Sequence, residues 1–284
     1  MEGSLQPFDA PPGKPRRRRT RRWIEAGLAV VAAAAAVFVV AQGGGSDGGP
    51  LNAIAKAAEV TQREPGGRAV LTATVTAPGT SEGLTETGTT VFDDSGRSRG
   101  TFIVTGHKTS REGNFSVVVD GTKSYVSSEL LDSIPEGKKW MEVDYSSVKA
   151  DTGSSNPAQA SPQEGLKVLE HVLGAEAIGK EDVEGVPTTH YRGTLPTSSK
   201  VFGVEVHISS SNIDVWIDAQ EQVRREHVVI TGSVGEFSLS TTTEMSIDFV
   251  EFGRVPKIAI PNADEVFNAT SQIESQVQSV GEGG

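Results

Sequence analysis

The chain has 284 residues, a net charge of −11 and no cysteine, and these values exclude several classes of protein. Without cysteine the chain has no disulfide, no thiol nucleophile and no lipid-modified N-terminal cysteine. Residues 1–42 carry seven basic and three acidic side chains, so the rest of the chain carries a net charge of −15. Such a charge argues against nucleic acid or an anionic lipid surface as a partner.

A basic cluster precedes an apolar run over residues 26–41, which hold no charged side chain. With Trp23 and Ile24 the run reaches the length of a membrane-spanning helix. Its predicted membrane-anchor side chains are Trp23, Leu28, Val30, Val31, Val37, Phe38, Val39 and Val40. The topology-determining arginines are Arg16, Arg17, Arg18, Arg19, Arg21 and Arg22. By the positive-inside rule they predict a cytoplasmic N-terminus and an extracytoplasmic main domain.

A cleaved export signal is the alternative interpretation of this segment. Val39 and Ala41 place small residues at −3 and −1 of a cleavage site, and the basic cluster faintly resembles a twin-arginine signal. The long basic region and the long apolar run favour a retained anchor. We therefore expect a single-pass protein of the plasma membrane, although both interpretations export the main domain.

The composition predicts one sizeable domain outside the membrane. We expect a disordered basic cytoplasmic tail at 1–22, a transmembrane helix at 23–41 and a Gly-rich linker at 42–50. The main domain then spans 51–268 and is followed by a polar C-terminal tail at 269–284. Thr, Ser, Val and Gly dominate the domain, while aromatic residues make up 6 % of the chain. This balance predicts a mainly β fold with a few helices.

The first elements of the domain follow clear periodic patterns. Pro50–Gln62 combines Pro at the first turn with apolar side chains at helical spacing, which predicts a helix. Strands are predicted at 68–77, 86–92, 101–106, 114–119 and 139–145. Asp120-Gly121 between two strand-like runs predicts an antiparallel hairpin. Residues 146–162 read as a polar loop.

A second β block follows a predicted helix that begins at Pro162 and ends at Gly174. Its predicted strands are 176–183, 187–195, 200–208, 213–218, 223–231 and 236–250. In the longest of these, Met245, Ile247 and Phe249 alternate with polar side chains. One face of this strand should be buried and the other solvated.

No catalytic or metal-binding motif is present in the sequence. The histidines are His107, His171, His190, His207 and His227, and none lies in a His-Glu-x-x-His pattern. The carboxylates Asp214, Asp218, Asp144 and Glu142 fit a solvated strand face. Arg224 and Arg225 could form surface ion pairs with Asp214 or Glu226. We expect no enzyme activity, no cofactor and no metal.

Three stretches of the second block together resemble a known family of cell-envelope proteins. They read LKVLEHVLGAEAIGKEDVEGVPTTHYRGTL, then IDVWIDAQEQVRREHVVI, then LSTTTEMSIDFVEFGRVPKIAIPNADEV, and the earlier GTKSYVSSELLDSIPEGKKWMEVDYSS adds to the likeness. This succession resembles actinobacterial LppX/LprG-type proteins of the LolA-like lipoprotein-carrier superfamily. The resemblance implies a half-open antiparallel β-barrel wrapped around helices, with an apolar cavity for acyl chains and no catalytic residues.

The relatives are usually tethered by a lipid-modified cysteine, which the transmembrane segment would replace here. The predicted cavity-lining residues are Leu71, Val75, Val215, Ile217, Met245, Ile247 and Phe249. From sequence alone a fully packed core is at least as plausible as a cavity.

Three functional hypotheses follow from these observations. The first is a non-enzymatic, membrane-anchored domain that binds a lipid, a lipoprotein or another hydrophobic ligand. The second is an envelope sensor or regulatory ectodomain with an envelope protein as partner. The third is a structural module with a solid core. Co-purified lipid would support the first, a cytoplasmic or signalling partner the second, and a filled interior the third.

Overall fold

The computed structural model describes residues 49–76, 83–106, 112–128, 134–146, 162–201, 204–234 and 240–281. The predicted cytoplasmic tail, transmembrane helix and nearly all of the linker lie outside these residues, as do His107 and most of the predicted loop 146–162. Among the described residues, no helix combines the length and hydropathy needed to cross a membrane.

Within the described ranges, thirteen strands join into one sheet. They are β1 (Gly66–Thr76), β2 (Gly83–Asp93), β3 (Ser98–Gly106), β4 (Gly113–Asp120), β5 (Lys123–Ser128), β6 (Trp140–Asp144), β7 (Leu173–Val183), β8 (Val186–Thr194), β9 (Ser198–Val201), β10 (Val204–Asp218), β11 (Val223–Val234), β12 (Ser240–Phe252) and β13 (Val266–Asn268). About 61 % of the described residues lie in strands, which confirms the mainly β prediction.

The sheet is open and almost entirely antiparallel. Its order is β13-β6-β5-β4-β3-β2-β1-β12-β11-β10-β8-β7, and β9 pairs with β10 off this path. Only the pairing of β13 with β6 is parallel among the described strands. The central pair joins β1 to β12, which lie about 180 residues apart in the chain, so the two predicted β blocks form a single sheet.

Helix α1 (Pro50–Gln62) has the predicted bounds. Ile54, Ala57, Ala58 and Thr61 are buried and follow each other at three- and four-residue spacing, so one stripe of the helix faces the core. Pro50 stands in the first turn, where its missing N–H removes no helical hydrogen bond.

The helix predicted from Pro162 to Gly174 is wrong beyond its first turn. Helix α2 (Pro162–Gly165) is followed by a 3-10 segment, Leu166–His171, and Leu173 already begins β7. Leu166 and Leu169 both enter the core, and their spacing of three matches the period of a 3-10 helix. Val172 is extended, so the chain leaves the helical path there.

Two other local predictions need correction. The strand predicted at 200–208 begins in β9, which ends at Val201 and pairs with β10. Its residues 204–208 and the predicted strand 213–218 belong to one strand, β10, because Ser210, Ser211 and Asn212 pair with β11 instead of forming a turn. The predicted β4–β5 hairpin is confirmed, but its loop is Gly121-Thr122, since Asp120 pairs with Lys123.

The chain after β12 crosses the sheet to its far edge. Residues 253–262, called the strap below, connect β12 to a 3-10 turn (Ala263–Glu265) and to β13 beside β6. Ile258 N–H in the strap donates to Asp93 Oδ2 at 2.8 Å, and Ile258 packs with Val118 and Tyr125. The residues assigned from sequence to a polar tail include helix α3 (Thr270–Gly281).

Candidate ligand-binding face

Cross-strand pairing divides the sheet into two faces, since directly opposite residues point to the same side. One rung runs across ten strands on one face. Its members are Ala177, Tyr191, Val215, Glu226, Ile247, Leu71, Gly88, Phe102, Phe115 and Ser128. We call this side the inner face, because α1 and the 3-10 segment pack on it, and the opposite side the outer face.

Strands β7, β8, β10, β11 and β12 form the helix-covered half of the sheet. Ile54 of α1 and Leu166 and Leu169 of the 3-10 segment join one buried cluster with the inner side chains of these strands. A hydrogen bond at the helix end fixes the cover, because Val223 N–H donates to Thr61 Oγ1 at 2.8 Å. This part of the inner face is a packed core.

Strands β2 to β6 form the second half, whose inner face is less fully buried. Leu84, Val117, Val126 and Met141 are inner-face side chains that remain partly exposed. The buried aromatic pair Phe102 and Phe115 lies beside them, with ring centroids 4.9 Å apart in a stacked arrangement. The inner face therefore continues as apolar surface beyond the helix-covered core.

Two glycines shape this second half. A Cβ atom on Gly88 would lie 2.2 Å from Phe102 Cδ1, and one on Gly100 would lie 2.3 Å from Phe102 Cε2. The Phe102 ring therefore lies flat on the inner face, over Gly88 of the neighbouring strand β2 and Gly100 of its own strand β3. Any larger residue at either glycine would displace the ring.

The seven residues predicted from sequence to line a cavity all lie on the inner face. Val215, Ile217, Met245, Ile247 and Phe249 are buried in the helix-covered cluster. Leu71 and Val75 on β1 are partly buried and pack against the edge of that cluster. Leu71 and Val75 thus lie at the border between the two halves. A ligand contact by any of the seven stays a prediction.

A carboxyl group lies in the middle of this apolar face. Glu226 is 0 % exposed, and its cross-strand neighbours on the inner face are Val215 and Ile247. Neither of its side-chain oxygens has a hydrogen-bond partner among the residues that the structure describes. Burial raises the pKa of Glu226 to about 8, so the side chain is largely neutral at pH 7.

A second inner-face carboxyl belongs to the second half. Glu86 on β2 is 5 % exposed and faces Ala73 and Val104 across the neighbouring strands. Burial raises its pKa to about 7, and in the described part of the chain its Oε2 atom has no partner. Three strand steps, or about 14 Å along the sheet, separate the two carboxyls.

These two carboxyls oppose folding. A buried polar group without a partner costs about 1 to 3 kcal/mol, more than most surface substitutions change. The sequence does contain a pattern that indicates burial of Glu226, because it alternates in phase with the apolar Val228 and Ile230 on the same strand. The adjacent charged residues Arg224, Arg225 and His227 made the segment look like a solvated strand face.

The outer face of the helix-covered half carries a buried polar cluster that the sequence did not predict. His190 Nε2 lies 2.6 Å from Asp214 Oδ1, and His190 Nδ1 lies 3.1 Å from Glu181 Oε1. Asp214 and His190 are 3 % and 4 % exposed, so the solvated face expected for Asp214 is wrong.

The neighbours of this cluster complete its hydrogen bonds. Arg192 Nε donates to Asp214 at 2.8 Å, and Trp216 Nε1 donates to Glu181 at 2.8 Å. Hydrogen bonds from Trp216 and His190 lower the pKa of Glu181. The His190 ring also stacks on Trp216 at 4.3 Å, so these contacts hold the cluster as a fixed polar network.

The ion pairs predicted for Arg224 and Arg225 have other partners. Arg224 Nε donates to Asp218 at 2.6 Å, and Arg225 pairs with Asp248. Asp218 is buried, also against expectation, because its Oδ1 atom accepts the N–H groups of Gln220 and Gln222 in the β10–β11 turn.

The other candidate side chains have local partners or lie at the surface. Asp144 accepts hydrogen bonds from Ser146 and Thr122, and Glu142 accepts them from Lys123 and Asn268. His227 lies 3.1 Å from Glu244, whereas His207 is exposed. Among the described residues no three His, Asp or Glu side chains converge on a possible metal position.

Comparison with known proteins gives remote likenesses. No family model matches the chain. The chain is 24 % identical over 107 residues to an uncharacterized 31.2 kDa protein of Streptomyces griseus from its rplA-rplJ intergenic region. That match covers 30 % of this chain and 35 % of the relative, so the chain spans about a third of the relative's length.

Among solved structures, the fold is similar to lipoprotein LppX of Mycobacterium tuberculosis. The sequences are 15 % identical, the match covers 74 % of this chain and 97 % of LppX, and the TM-score is 0.43. LprF from Mycobacterium bovis is 11 % identical, with 75 % and 96 % coverage and a TM-score of 0.40. Both structures belong to the LppX/LprG-type group that the sequence resembles.

Proposed function

We propose that this protein binds a hydrophobic ligand, such as a lipid or an acylated molecule, on the inner face of its sheet. The supporting observation is that this apolar face continues past the helix-covered core to the partly exposed Leu84, Val117, Val126 and Met141. An acyl chain laid on these side chains would remove apolar surface from water, which is favourable at roughly 25 cal/mol per Å².

The binding would need no catalytic residue. The sheet would curl as a half-open barrel around the helices, and the ligand would occupy the space above Leu71, Val75 and the second half. Selectivity would then depend mainly on ligand shape and chain length. A solid-core structural module is the competing function, and the dense burial of the helix-covered half favours it.

Mass spectrometry of the full-length chain separates these two functions. The chain is purified in a non-ionic detergent and analysed under native conditions and then after organic extraction. Ligand binding predicts an added mass that the extraction releases as lipid. A chain that carries no added mass, even after incubation with a lipid extract, would support the solid-core module.

The proposed location is the outer face of the plasma membrane, with residues 23–41 as a retained anchor and the N-terminus in the cytoplasm. Fractionation of the producing cells tests this placement. The full-length chain should require detergent for release and should keep the arginines Arg16 to Arg22. A soluble product that begins at Gln42 or Gly43 would instead support a cleaved signal.

A further inference from the structure

The position of Glu226 gives the proposed ligand a chemical feature beyond an acyl chain. The next inner-face residue along its strand is Val228, and its cross-strand neighbours are Val215 and Ile247. Its side chain is fully buried, and both oxygens lack a hydrogen-bond partner in the described ranges of the chain. A carboxyl group in this position has unused capacity to donate and to accept hydrogen bonds.

The basic residues closest in sequence are engaged elsewhere. Arg224 pairs with Asp218 and its guanidinium lies 4.8 Å from the centroid of the Phe252 ring. Arg225 and His227 point to the outer face, where they contact Asp248 and Glu244. None of these three basic side chains is therefore a partner of Glu226.

We propose that Glu226 binds an uncharged hydrogen-bonding group of the ligand, that is, a hydroxyl, an ester or an amide, within the apolar interior. This inference rests on the proposed function. The ligand would then be an amphiphile whose polar group enters the interior beside Val215 and Ile247, while its apolar part follows the inner face toward Leu71 and the second half.

Because Glu226 is fully buried, it should favour an uncharged partner over a charged one. A carboxyl that is neutral at pH 7 can donate its O–H to a carbonyl oxygen and accept an N–H or O–H in return. A cationic group would require both charges to be removed from water, which the apolar surroundings disfavour. A metal ion would need further ligands, and no group of three suitable side chains occurs among the described residues.

Two variants separate hydrogen bonding from side-chain volume. Glu226→Met replaces the carboxyl with an apolar chain of similar length, and removal of an unpartnered buried carboxyl should stabilise the fold. Glu226→Gln keeps the shape and can both donate and accept a hydrogen bond. The melting temperature of each variant is measured first to verify folding.

The test compares a polar probe with an apolar probe. The full-length wild type and both variants are incubated, at one fixed concentration of non-ionic detergent, with 1-monomyristoylglycerol, with tetradecane or with tetradecylammonium. After gel filtration, the bound probe is quantified by gas chromatography of an organic extract. Wild type and Glu226→Gln should bind monomyristoylglycerol with similar affinity, whereas Glu226→Met should bind it about tenfold more weakly. Tetradecane should bind all three proteins within about a factor of two.

The outcomes distinguish the two proposals. If the wild type binds neither probe, the proposed function and this inference both fail. If Glu226→Met binds both probes as the wild type does, ligand binding stands and the role of Glu226 is wrong. Stronger Glu226-dependent binding of tetradecylammonium than of monomyristoylglycerol would overturn the assignment to an uncharged group.

Discussion

The helix-covered half and the second half share one inner face, yet they bury their apolar side chains differently. In the first, α1 and the 3-10 segment cover Met245, Ile247 and Phe249, while the outer face holds polar pairs such as His190 with Asp214. In the second, the strap covers Val118 and Tyr125 on the outer face. On the inner face of this half, several apolar side chains stay partly exposed beside the buried Phe102 and Phe115. The helices thus cover the inner face in the first half, whereas in the second half part of the same face remains accessible.

This difference indicates where stability and binding reside. A core that is closed by its own helices needs no ligand, because its apolar surface is already removed from water. Partly exposed apolar side chains, in contrast, lose contact with water when a ligand covers them, which favours binding. Apart from Glu226, we therefore expect substitutions in the helix-covered half to change stability, and substitutions in the second half to change binding.

The largest effect should come from truncation of the packed core. Ile247→Ala should lower the free energy of unfolding by about 2 to 5 kcal/mol, because it leaves a cavity under α2. Leu84→Ala in the second half removes a similar volume from a partly exposed site and should cost about 1 kcal/mol. Urea denaturation of both variants measures the difference. Equal losses would show that the two halves are packed alike.

A change of pH should also affect the stability contributed by the two halves to different extents. The Glu226 carboxyl has an ordinary pKa of 4.5 when unfolded, whereas burial raises its pKa to about 8 in the fold. The folded state therefore holds a proton that the unfolded chain loses, and stability falls as the pH rises from 4.5 through 8. Between pH 5 and pH 8 we expect Glu226 to contribute a loss on the order of 3 kcal/mol.

The matching carboxyl of the second half should contribute less. Glu86, whose pKa is raised to about 7, should account for on the order of 2 kcal/mol over the same interval. Denaturation of Glu226→Gln and Glu86→Gln at pH 5 and pH 8 measures each share. A Glu226→Gln protein with the full wild-type pH dependence would mean that the carboxyl is solvated in the folded state.

Added volume gives an intermediate effect with two readouts. Met245→Trp should lower stability by about 1 to 3 kcal/mol through overpacking of the core. Val117→Trp, on a partly exposed site, should lower it by less than about 1 kcal/mol and should reduce the amount of co-purified lipid. Melting temperature and extracted lipid are measured on the same samples. Reduced lipid in Met245→Trp alone would place the apolar part of the ligand in the helix-covered half.

The smallest effect should come from a surface charge on the helix cover. Lys56 Nζ in α1 lies 2.7 Å from Glu221 Oε1 in the β10–β11 turn, and both side chains are more than half exposed. Lys56→Met should change stability by less than about 1 kcal/mol, because water screens such pairs. A larger loss in thermal denaturation would show that charge, in addition to apolar packing, holds α1 in place.

The sequence predicted the features that depend on local periodicity. The alternation of Met245, Ile247 and Phe249 correctly identified a buried strand face, and the helical spacing of Ile54 and Ala58 fits the buried side of helix α1. The pairing of β1 with β12 was beyond such patterns, because it joins residues far apart in the chain.

The missed features share a physical cause. Asp214 and Glu226 read as surface residues because charged side chains usually are exposed. Their burial depends on which strands flank them, namely His190 on β8 for Asp214 and Ile247 on β12 for Glu226. Tertiary pairing therefore decided the environment of both carboxyl groups.

The strap sets a mechanical limit on the sheet. The path from β12 to β13 crosses seven strand steps, or about 34 Å. The ten residues of the strap span at most about 36 Å when fully extended, and the following 3-10 turn adds about 6 Å. In the curled sheet proposed above, the outer face is convex, so tighter curvature lengthens this path. Because the extended strap is barely longer than this path, it would limit how far the sheet can curl. The space over the inner face would then stay open enough for a ligand to enter.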